Sequence, residues 1–487
     1  MLLAVLLACG GDAEEPVEPE PLVPVATVSL SVDSMAAVVG ESARLKAVLQ
    51  DENGDTLWDR AITWVSSDPA VVSVDTTGRV TGLMPGWAVI VATSERHSDA
   101  ARVWVTLAWS SVAAGVKHTC GVTVDATAYC WGAATENASP LDRVVPEPVP
   151  GDLVVSVIAA GCSYQDCERF LPRCVAHTCA ITSLGLGYCW GPNSDGQLGD
   201  GSTETRSEPT RVSGDLEFVS IGPGALHTCG VTSDGRVYCW GSGSLGQLGN
   251  GSSSSGQTTP GPVIGDLHFT SVSAGWAHTC AVTPGSGAYC WGFNDAGQAG
   301  AAAADTCTDR YGRLRPCSTV PVQGAGQLTL ATVTGGRSHT CGLTKQGKAY
   351  CWGLNDQGQL GAATRDTCWE RPCSSTPVPV SGDPTFVMVS AGGAHTCGVT
   401  TSLEALCWGA NESGQLGDGS LEGSGEPVPV AGGLRFMSVS AGKHHTCGVT
   451  TRGAAYCWGA NTEGQLGNGG GPGSTTPVRV GNPRGYN

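Results

Sequence analysis

Residues 227–249 read HTCGVTSDGRVYCWGSGSLGQLG, and variants of this stretch recur through most of the chain. The triplet His-Thr-Cys occurs seven times, beginning at His118, His177, His227, His278, His339, His395 and His445. Each triplet is followed by Cys-Trp-Gly, beginning at Cys130, Cys189, Cys239, Cys290, Cys351, Cys407 and Cys457. Self-similarity with a period of about 50–60 residues indicates a repeat architecture.

Each period contains four short segments with the pattern of β-strands. The first ends in Ala-Gly, the second carries His-Thr-Cys, the third carries Cys-Trp-Gly, and the fourth contains Pro-Val. Four strands per repeat, seven times over, predict an all-β fold with a seven-bladed β-propeller. We expect the last Pro-Val strand, residues 477–480, to join the first Ala-Gly strand, residues 111–115, in one blade and so close the ring.

The two cysteines of each repeat are ten residues apart, and in the third repeat they lie symmetrically about Asp234. Residues placed symmetrically about a hairpin turn face each other within reach of a disulfide. We therefore predict seven cross-strand disulfides: Cys120–Cys130, Cys179–Cys189, Cys229–Cys239, Cys280–Cys290, Cys341–Cys351, Cys397–Cys407 and Cys447–Cys457. Metal binding by these cysteines and histidines is the alternative, but the spacing lacks the paired cysteines of zinc sites. No metal site and no cofactor is predicted.

Charge and cysteine content restrict the function further. The chain has 43 acidic and 26 basic residues and a net charge of −17, which argues against a nucleic-acid partner. Its 22 cysteines are typical of an oxidising compartment, so we expect a secreted or cell-envelope protein. The tryptophans of the Cys-Trp-Gly triplets are expected to pack between the blades.

The N-terminal segments predict how the propeller is attached. Residues 1–9 end in Leu6-Leu7-Ala8-Cys9, which resembles the lipobox of bacterial lipoproteins and implies lipidation of Cys9 at the outer membrane. An ordinary signal peptide is the alternative reading. Residues 10–24 are a Pro/Glu-rich spacer, and residues 25–107 show the strand alternation of a small β-sandwich. The propeller is assigned to residues 108–487.

Two family resemblances follow from these motifs. The run from Trp64 to Asp75, with Gly78, Gly82 and Pro85-Gly86 after it, resembles bacterial immunoglobulin-like domains of group 2. The repeat with His227-Thr228, Asp234-Gly235, Trp240-Gly241 and Gly246-Gln247-Leu248-Gly249 resembles the regulator of chromosome condensation family. These resemblances imply an immunoglobulin-like sandwich followed by a seven-bladed propeller.

Eight cysteines lie outside the repeat pattern. Besides Cys9, two pairs are predicted to close their own loops, Cys307–Cys317 and Cys368–Cys373. Cys162, Cys167 and Cys174 leave one thiol without an intramolecular partner, and the sequence does not say which.

The insertions that carry these cysteines are predicted to decorate one face of the propeller. Strand direction alternates along a blade, so the first-to-second and third-to-fourth connections open on the same face. The insertions hold side chains that are common at binding hot spots. These candidate binding residues are Tyr164, Arg169, Phe170, Arg173, Arg310, Tyr311, Arg313, Arg315, Arg365, Trp369 and Arg371. Growth of loops without a binding role is the alternative reading.

The function predicted from the sequence is a non-catalytic binding or adhesion scaffold at the cell surface. Its expected partner is a protein or glycan, held on the insertion-bearing face, with membrane contact only through a lipid anchor. No motif of a nucleophile elbow, P-loop or metalloprotease is present. The alternatives are a secreted inhibitor of an extracellular enzyme, a propeller enzyme, and an exchange factor for a small GTPase, the activity of the founding member of the resembled family.

Overall fold

The computed structural model describes residues 22–133, 143–161, 176–254, 256–326, 328–368 and 370–483, and these residues form strands and turns only. No helix able to span a bilayer occurs in this part of the chain. The all-β prediction is confirmed: a sandwich is followed by seven antiparallel sheets.

Nine strands build the sandwich. They are β1 Thr27–Leu30, β2 Ser34–Val38, β3 Ser42–Arg44, β4 Ala47–Gln50, β5 Thr63–Ser66, β6 Val72–Val74, β7 Arg79–Gly82, β8 Gly86–Ser94 and β9 His97–Thr106. The larger sheet has the order β2-β9-β8-β5, with β2 parallel to β9. Alternate residues of β8 and β9, such as Ile90 and Val103, are buried against Val72 and Val80 of the facing sheet. The core of the sandwich contains no disulfide, because residues 25–107 include no cysteine.

Each propeller blade has an inner strand that borders the central channel. The inner strands are β10 Trp109–Ala114, β14 Val155–Ala160, β18 Phe218–Pro223, β22 Ser271–Ala274, β27 Leu330–Gly335, β32 Phe386–Ala391 and β36 Phe436–Ala441. The second strands are β11 His118–Thr123, β15 Thr178–Thr182, β19 His227–Thr232, β23 His278–Val282, β28 His339–Thr344, β33 His395–Thr400 and β37 His445–Thr450.

The third and outer strands complete each blade. The third strands are β12 Ala128–Gly132, β16 Gly187–Gly191, β20 Val237–Gly241, β24 Ala288–Phe293, β29 Ala349–Leu354, β34 Ala405–Gly409 and β38 Ala455–Gly459. The outer strands are β13 Glu147–Pro148, β17 Arg206–Arg211, β21 Gln257–Pro262, β26 Leu314–Gln323, β31 Arg371–Pro379, β35 Ser424–Pro429 and β39 Ser474–Arg479. Two extra strands, β25 Asp305–Thr308 and β30 Asp366–Cys368, pair with β26 and β31 at the sheet edges.

The expected closure of the ring by a shared blade is wrong. The inner strand β10 pairs with β11, and the outer strand β39 pairs with β38, so every blade consists of consecutive strands. Blades one and seven meet instead through side chains and through loop backbone, where for example the N–H of Lys443 donates to the carbonyl of Gly115 at 3.0 Å. The backbone N–H of Ala114 donates to Ser440 Oγ at 2.9 Å, and Trp131 Nε1 donates to the carbonyl of Gln465 at 2.9 Å. The connection between the third and outer strands reaches across to the next blade, and this contact takes the place of strand exchange.

The seven repeat disulfides form as predicted. In blade three, Cys229 lies directly opposite Cys239, with a Cα–Cα distance of 4.1 Å, and Gly235 takes a φ of +83° in the turn that joins the strands. The tryptophan beside each third-strand cysteine also lies as expected. Trp240 of blade three is fully buried against Ile181 and Leu198 of blade two. Disulfides thus hold the hairpins, and tryptophans fill the seams between blades.

The sandwich contacts blade seven on the side that carries the second-to-third turns. Arg479 Nη2 donates to the carbonyl of Ala37 at 3.1 Å and to Thr106 Oγ1 at 2.8 Å. Asn482 Nδ2 donates to the carbonyl of Val105 at 2.8 Å. A small apolar cluster lies beside these bonds, formed by Val38, Ala108 and Ala454. The opposite face, where the insertions at residues 301–318 and 362–375 lie, points away from the sandwich.

Candidate functional site

The seven repeat histidines form a hydrogen-bonded circuit around the ring. The Nε2 atom of each histidine bonds the threonine hydroxyl of the next blade. The pairs are His118–Thr178 2.8 Å, His177–Thr228 2.6 Å, His227–Thr279 2.9 Å, His278–Thr340 3.0 Å, His339–Thr396 2.9 Å, His395–Thr446 2.9 Å and His445–Thr119 2.9 Å. The circuit therefore closes on itself around the ring.

The threonine hydroxyl fixes the histidine tautomer. Thr228 Oγ1 donates to the carbonyl of Gln197 at 2.8 Å, so it must accept a hydrogen from Nε2 of His177. A threonine hydroxyl donates in the same way to the backbone carbonyl of a glutamine at six seams among the described residues. The Nδ1 atom is then the unprotonated nitrogen, and in all seven histidines it is buried with no hydrogen-bond partner among the described residues.

Burial keeps these imidazoles neutral. It lowers the pKa of His118 and His278 to about 4 and that of the other five to about 3. A Cβ at Gly224 would lie 2.4 Å from Cε1 of His227, so glycine allows the chain to pass over the ring. No group of three or more potential metal ligands occurs in the described ranges. The histidines are therefore part of the scaffold.

Two hairpins rise from the third-to-outer connections of blades four and five. We call residues 301–318 arm one and residues 362–375 arm two. The disulfides Cys307–Cys317 and Cys368–Cys373 close them, each with a Cα–Cα distance of 5.8 Å. Both arms carry Asp-Thr-Cys on one strand and Arg-Pro-Cys-Ser on the other, beginning at Asp305 and Arg315 in arm one. The arms are therefore two copies of one structural unit.

The two arms are attached in the same register. Cys317 lies opposite Phe293 at the end of β24, and Cys373 lies opposite Leu354 at the end of β29. The backbone N–H that follows each of these apolar residues donates to the proline carbonyl of its arm, at 2.9 Å in arm one and 2.8 Å in arm two. Each arm thus continues the outer strand of its own blade above the face.

A cleft of about 620 Å³ lies between the arms and the mouth of the channel. Its wall includes Trp276, whose ring meets Phe293 edge-on at 5.2 Å between centroids. Arg337 lines both this cleft and the central channel, so the two spaces adjoin at this residue. The lining residues come from the first-to-second and third-to-fourth connections, from the arms, and from the ends of the third strands that lead into the arms. The two kinds of connection therefore open on one face.

Alternating charges link each arm to the loop of its own blade, and Asp295 is influenced by an arginine of each arm. Arg315 lies 3.2 Å from Asp309 and 3.7 Å from Asp295, and Arg371 pairs with Asp356. Asp295 and Asp356 occupy the same position in the loops of blades four and five. Burial raises the pKa of Asp295 to about 6, although Arg315 and Arg371 both act to lower it. The network is nearly charge-balanced at neutral pH.

The structure brings together five of the eleven candidate binding residues. The cleft is lined by Arg310, Tyr311, Arg313, Arg315 and Arg371. Arg365 is exposed on arm two but does not line the cleft. The remaining candidates lie outside the described residues: Tyr164, Arg169, Phe170, Arg173 and Trp369, together with Cys9, Cys162, Cys167 and Cys174.

Four cleft residues were not identified from the sequence. Trp276 and Arg337 occupy single variable positions before a repeat histidine, where no motif marks them. Asp295 and Asp356 could have been found, because each precedes a Gly-Gln pair in the two blades that carry the Arg-Pro-Cys-Ser motif. The duplicated arm sequence is the signal that would have led to them.

Comparison with known proteins places this fold in a family. The model of the RCC1-like domain matches residues 175–486, and that of the bacterial Ig-like domain (group 2) matches residues 24–105. The ultraviolet-B receptor UVR8 of Arabidopsis thaliana is 33% identical over 252 residues, which cover 51% of this chain and 54% of the receptor. The human E3 ubiquitin-protein ligase HERC2 is 30% identical over 321 residues, 64% of this chain but 5% of the ligase.

A solved structure agrees on the fold. Prp20p from Saccharomyces cerevisiae superimposes with a TM-score of 0.59 at 19% identity, covering 77% of this chain and 88% of that structure. The chain spans about half the length of UVR8 and a twentieth of HERC2. With the RCC1-like model matching well over half of its residues, the chain belongs to the RCC1-like domain family.

Proposed function

We propose that this protein is a non-catalytic binding scaffold whose ligand occupies the cleft between the two arms. The observation that carries the proposal is the duplicated disulfide-closed arm, placed in the same register on adjacent blades at one cleft. Binding loops on a rigid scaffold are the usual way in which one fold serves many ligands. UVR8 is named as a receptor and HERC2 as a ligase, so similar propellers occur in proteins with different activities.

The attachment of the sandwich supports the same reading. The sandwich contacts blade seven on the face opposite the arms, through Arg479 and Asn482. A spacer that precedes the sandwich would therefore leave the cleft accessible. We propose a location at the cell envelope or outside the cell, because nine disulfides in the described residues need an oxidising compartment to persist.

The binding proposal is tested by comparing two variants of the full-length protein. The double variant Tyr311→Ala/Arg313→Ala removes two exposed cleft side chains, whereas Arg236→Ala removes an exposed arginine from a turn on the opposite face. Labelled protein is titrated onto the envelope fraction of the producing cells. We expect the double variant to bind at least about tenfold more weakly and Arg236→Ala to bind like the unaltered protein. Equal binding by all three proteins would refute the cleft as the site.

The proposed location has a separate test. Cells that produce the protein are fed a labelled fatty acid, and the Cys9→Ala variant is compared with the unaltered chain. We expect label only where Cys9 is present, with both proteins in the envelope or medium. Recovery of unlabelled protein with free repeat thiols from the cytoplasm would contradict the proposal.

A further inference from the structure

We propose that the cleft recognises an uncharged glycan; this rests on the proposed function and names the class of its ligand. The first step is charge balance. Five arginines line the cleft, and they face Asp295, Asp309, Asp356 and Glu412. Fixed charges of both signs alternate at short range, so their fields largely cancel for a ligand with a net charge. A polyanion would gain little there.

The second step is hydrogen-bonding capacity. An arginine has five N–H donors in a plane, and a carboxylate has two accepting oxygens, so an ion pair leaves further bonds available in fixed directions. Arg371 and Asp356 form such a pair at the cleft wall, beside the exposed side chains of Gln357 and Glu412. An ion pair of this kind holds planar donors and acceptors in place. They match the adjacent hydroxyls of a sugar ring, because each hydroxyl can both donate and accept a hydrogen bond.

The third step is the aromatic surface. Tyr311 is 48% exposed on arm one, and Trp276 is half-buried against Phe293 on the same cleft. Aromatic rings combine an apolar face with a polar edge, which suits the C–H face of a pyranose. The volume of about 620 Å³ falls in the range of small-ligand sites, enough for a short stretch of glycan.

Other ligand classes fit less well. A wholly apolar ligand would leave the donors and acceptors that the ion pairs do not use without partners, which is costly where Asp295 is already mostly buried. A nucleic acid needs a large excess of positive charge, whereas the arginines that line this cleft outnumber its carboxylates by only one. Polar planar side chains together with aromatic rings therefore favour the uncharged polyhydroxyl ligand.

The experiment uses the full chain and defined probes. Isothermal titration compares the neutral hexasaccharides of cellulose, amylose, mannan and chitin with oligogalacturonate and with an acidic peptide, at low and high NaCl. We expect at least one neutral hexasaccharide to bind with an affinity that salt does not change. Tyr311→Ala and Trp276→Ala should each weaken it by about tenfold, while Arg236→Ala leaves it unchanged. Thermal unfolding checks that each variant is folded. If Trp276→Ala does not fold, Tyr311→Ala still tests the inference, because the Tyr311 side chain is exposed.

Two results would overturn the inference. One is binding of the charged probes alone, with an affinity that falls as salt rises. The other is the absence of binding by every neutral hexasaccharide at millimolar concentration. If the envelope fraction still binds in a manner that depends on Tyr311 and Arg313, the proposed binding function stands and only the glycan class fails.

Discussion

At the scale of single residues, the side chains that recur in every repeat serve assembly. Each repeat histidine is fully buried, and its Nε2 bonds a threonine of the next blade. In six of the seven, the imidazole ring packs close to a glycine. Seven imidazoles that must stay neutral make the fold sensitive to acid. The arginines and aspartates of the cleft, in contrast, differ between blades, and they occur where the arms do.

The histidine circuit predicts that stability falls with acidification. The unfolded histidines take up protons near pH 6.5, whereas the folded ones resist until about pH 4 or 3. Between these values the unfolded state binds more protons, so each histidine removes up to about 1.4 kcal/mol of stability per pH unit as pH falls. Asp295, with its pKa raised to about 6 from 3.8, acts in the opposite sense, but it is one group against seven.

Chemical denaturation between pH 8 and pH 4.5 measures this effect. The free energy of unfolding should be nearly constant above pH 7 and should decrease steeply below pH 6.5, with several protons taken up on unfolding. A flat profile from pH 7 to pH 5 would contradict the neutral, buried circuit. Replacement of the surface histidine His97 by Gln, which leaves the circuit intact, should not alter the profile.

At the scale of elements, the two kinds of disulfide should have different effects. A repeat disulfide such as Cys229–Cys239 joins two central strands of a blade, and both of its cysteines are fully buried. Arm two projects beyond the four-stranded blade, and Cys368–Cys373 closes a hairpin of only five residues' separation. The first therefore stabilises the fold, and the second mainly shapes the cleft.

Double replacements by alanine separate these roles. Loss of Cys229–Cys239 should lower the free energy of unfolding by about 2–3 kcal/mol. Loss of Cys368–Cys373 should leave the thermal midpoint nearly unchanged but accelerate trypsin cleavage after the exposed Arg365. Cleavage after Arg313 in arm one is the internal control and should keep its rate. An arm-two variant that unfolds as early as the blade variant would show that the arm supports the core.

Much of this architecture follows from sequence, and the exceptions have physical reasons. The ten-residue spacing about Asp234 fixes the hairpin register, so the disulfides could be derived. Because strand direction alternates along a blade, the sequence also places both arms on one face of the propeller. The closure of the ring could not be derived. Blades of four consecutive strands, and a ring in which the first and last strands share one blade, use the same strand segments, so the sequence is compatible with both. Trp276 and Arg337 could not be derived either, since their roles depend on how the arms fold over the face; Trp276 packs with Phe293 and the disulfide of arm one.

At the scale of the whole molecule, the sandwich and propeller form a defined arrangement through Arg479. Its guanidinium lies at the junction and bonds a backbone carbonyl and a hydroxyl of the sandwich. Arg211 occupies the corresponding register position in blade two, opposite Tyr188 as Arg479 is opposite Tyr456, and it is exposed. The chain therefore supplies its own matched control.

Arg479→Ala should loosen the junction while the propeller stays folded. The hydrogen bonds to Ala37 and Thr106 are lost, so we expect a broader distribution of distances between the two domains in small-angle X-ray scattering. Proteolysis between residues 107 and 109 should also accelerate. Arg211→Ala should leave both measurements unchanged. Identical scattering from the two variants would mean that Asn482 and the apolar cluster hold the domains without Arg479.

The closed hydrogen-bond circuit has a mechanical consequence. All seven His–Thr bonds run in one rotational sense. The seam between blades seven and one has its own bond, His445–Thr119, of the same kind as those at the other seams. A tensile load that arrives through the sandwich at Arg479 therefore meets no preformed weak joint. Such a load would be shared among equivalent seams, and rupture would require several of them to yield together. A ring of this kind is suited to hold its cleft in shape when the molecule is sheared.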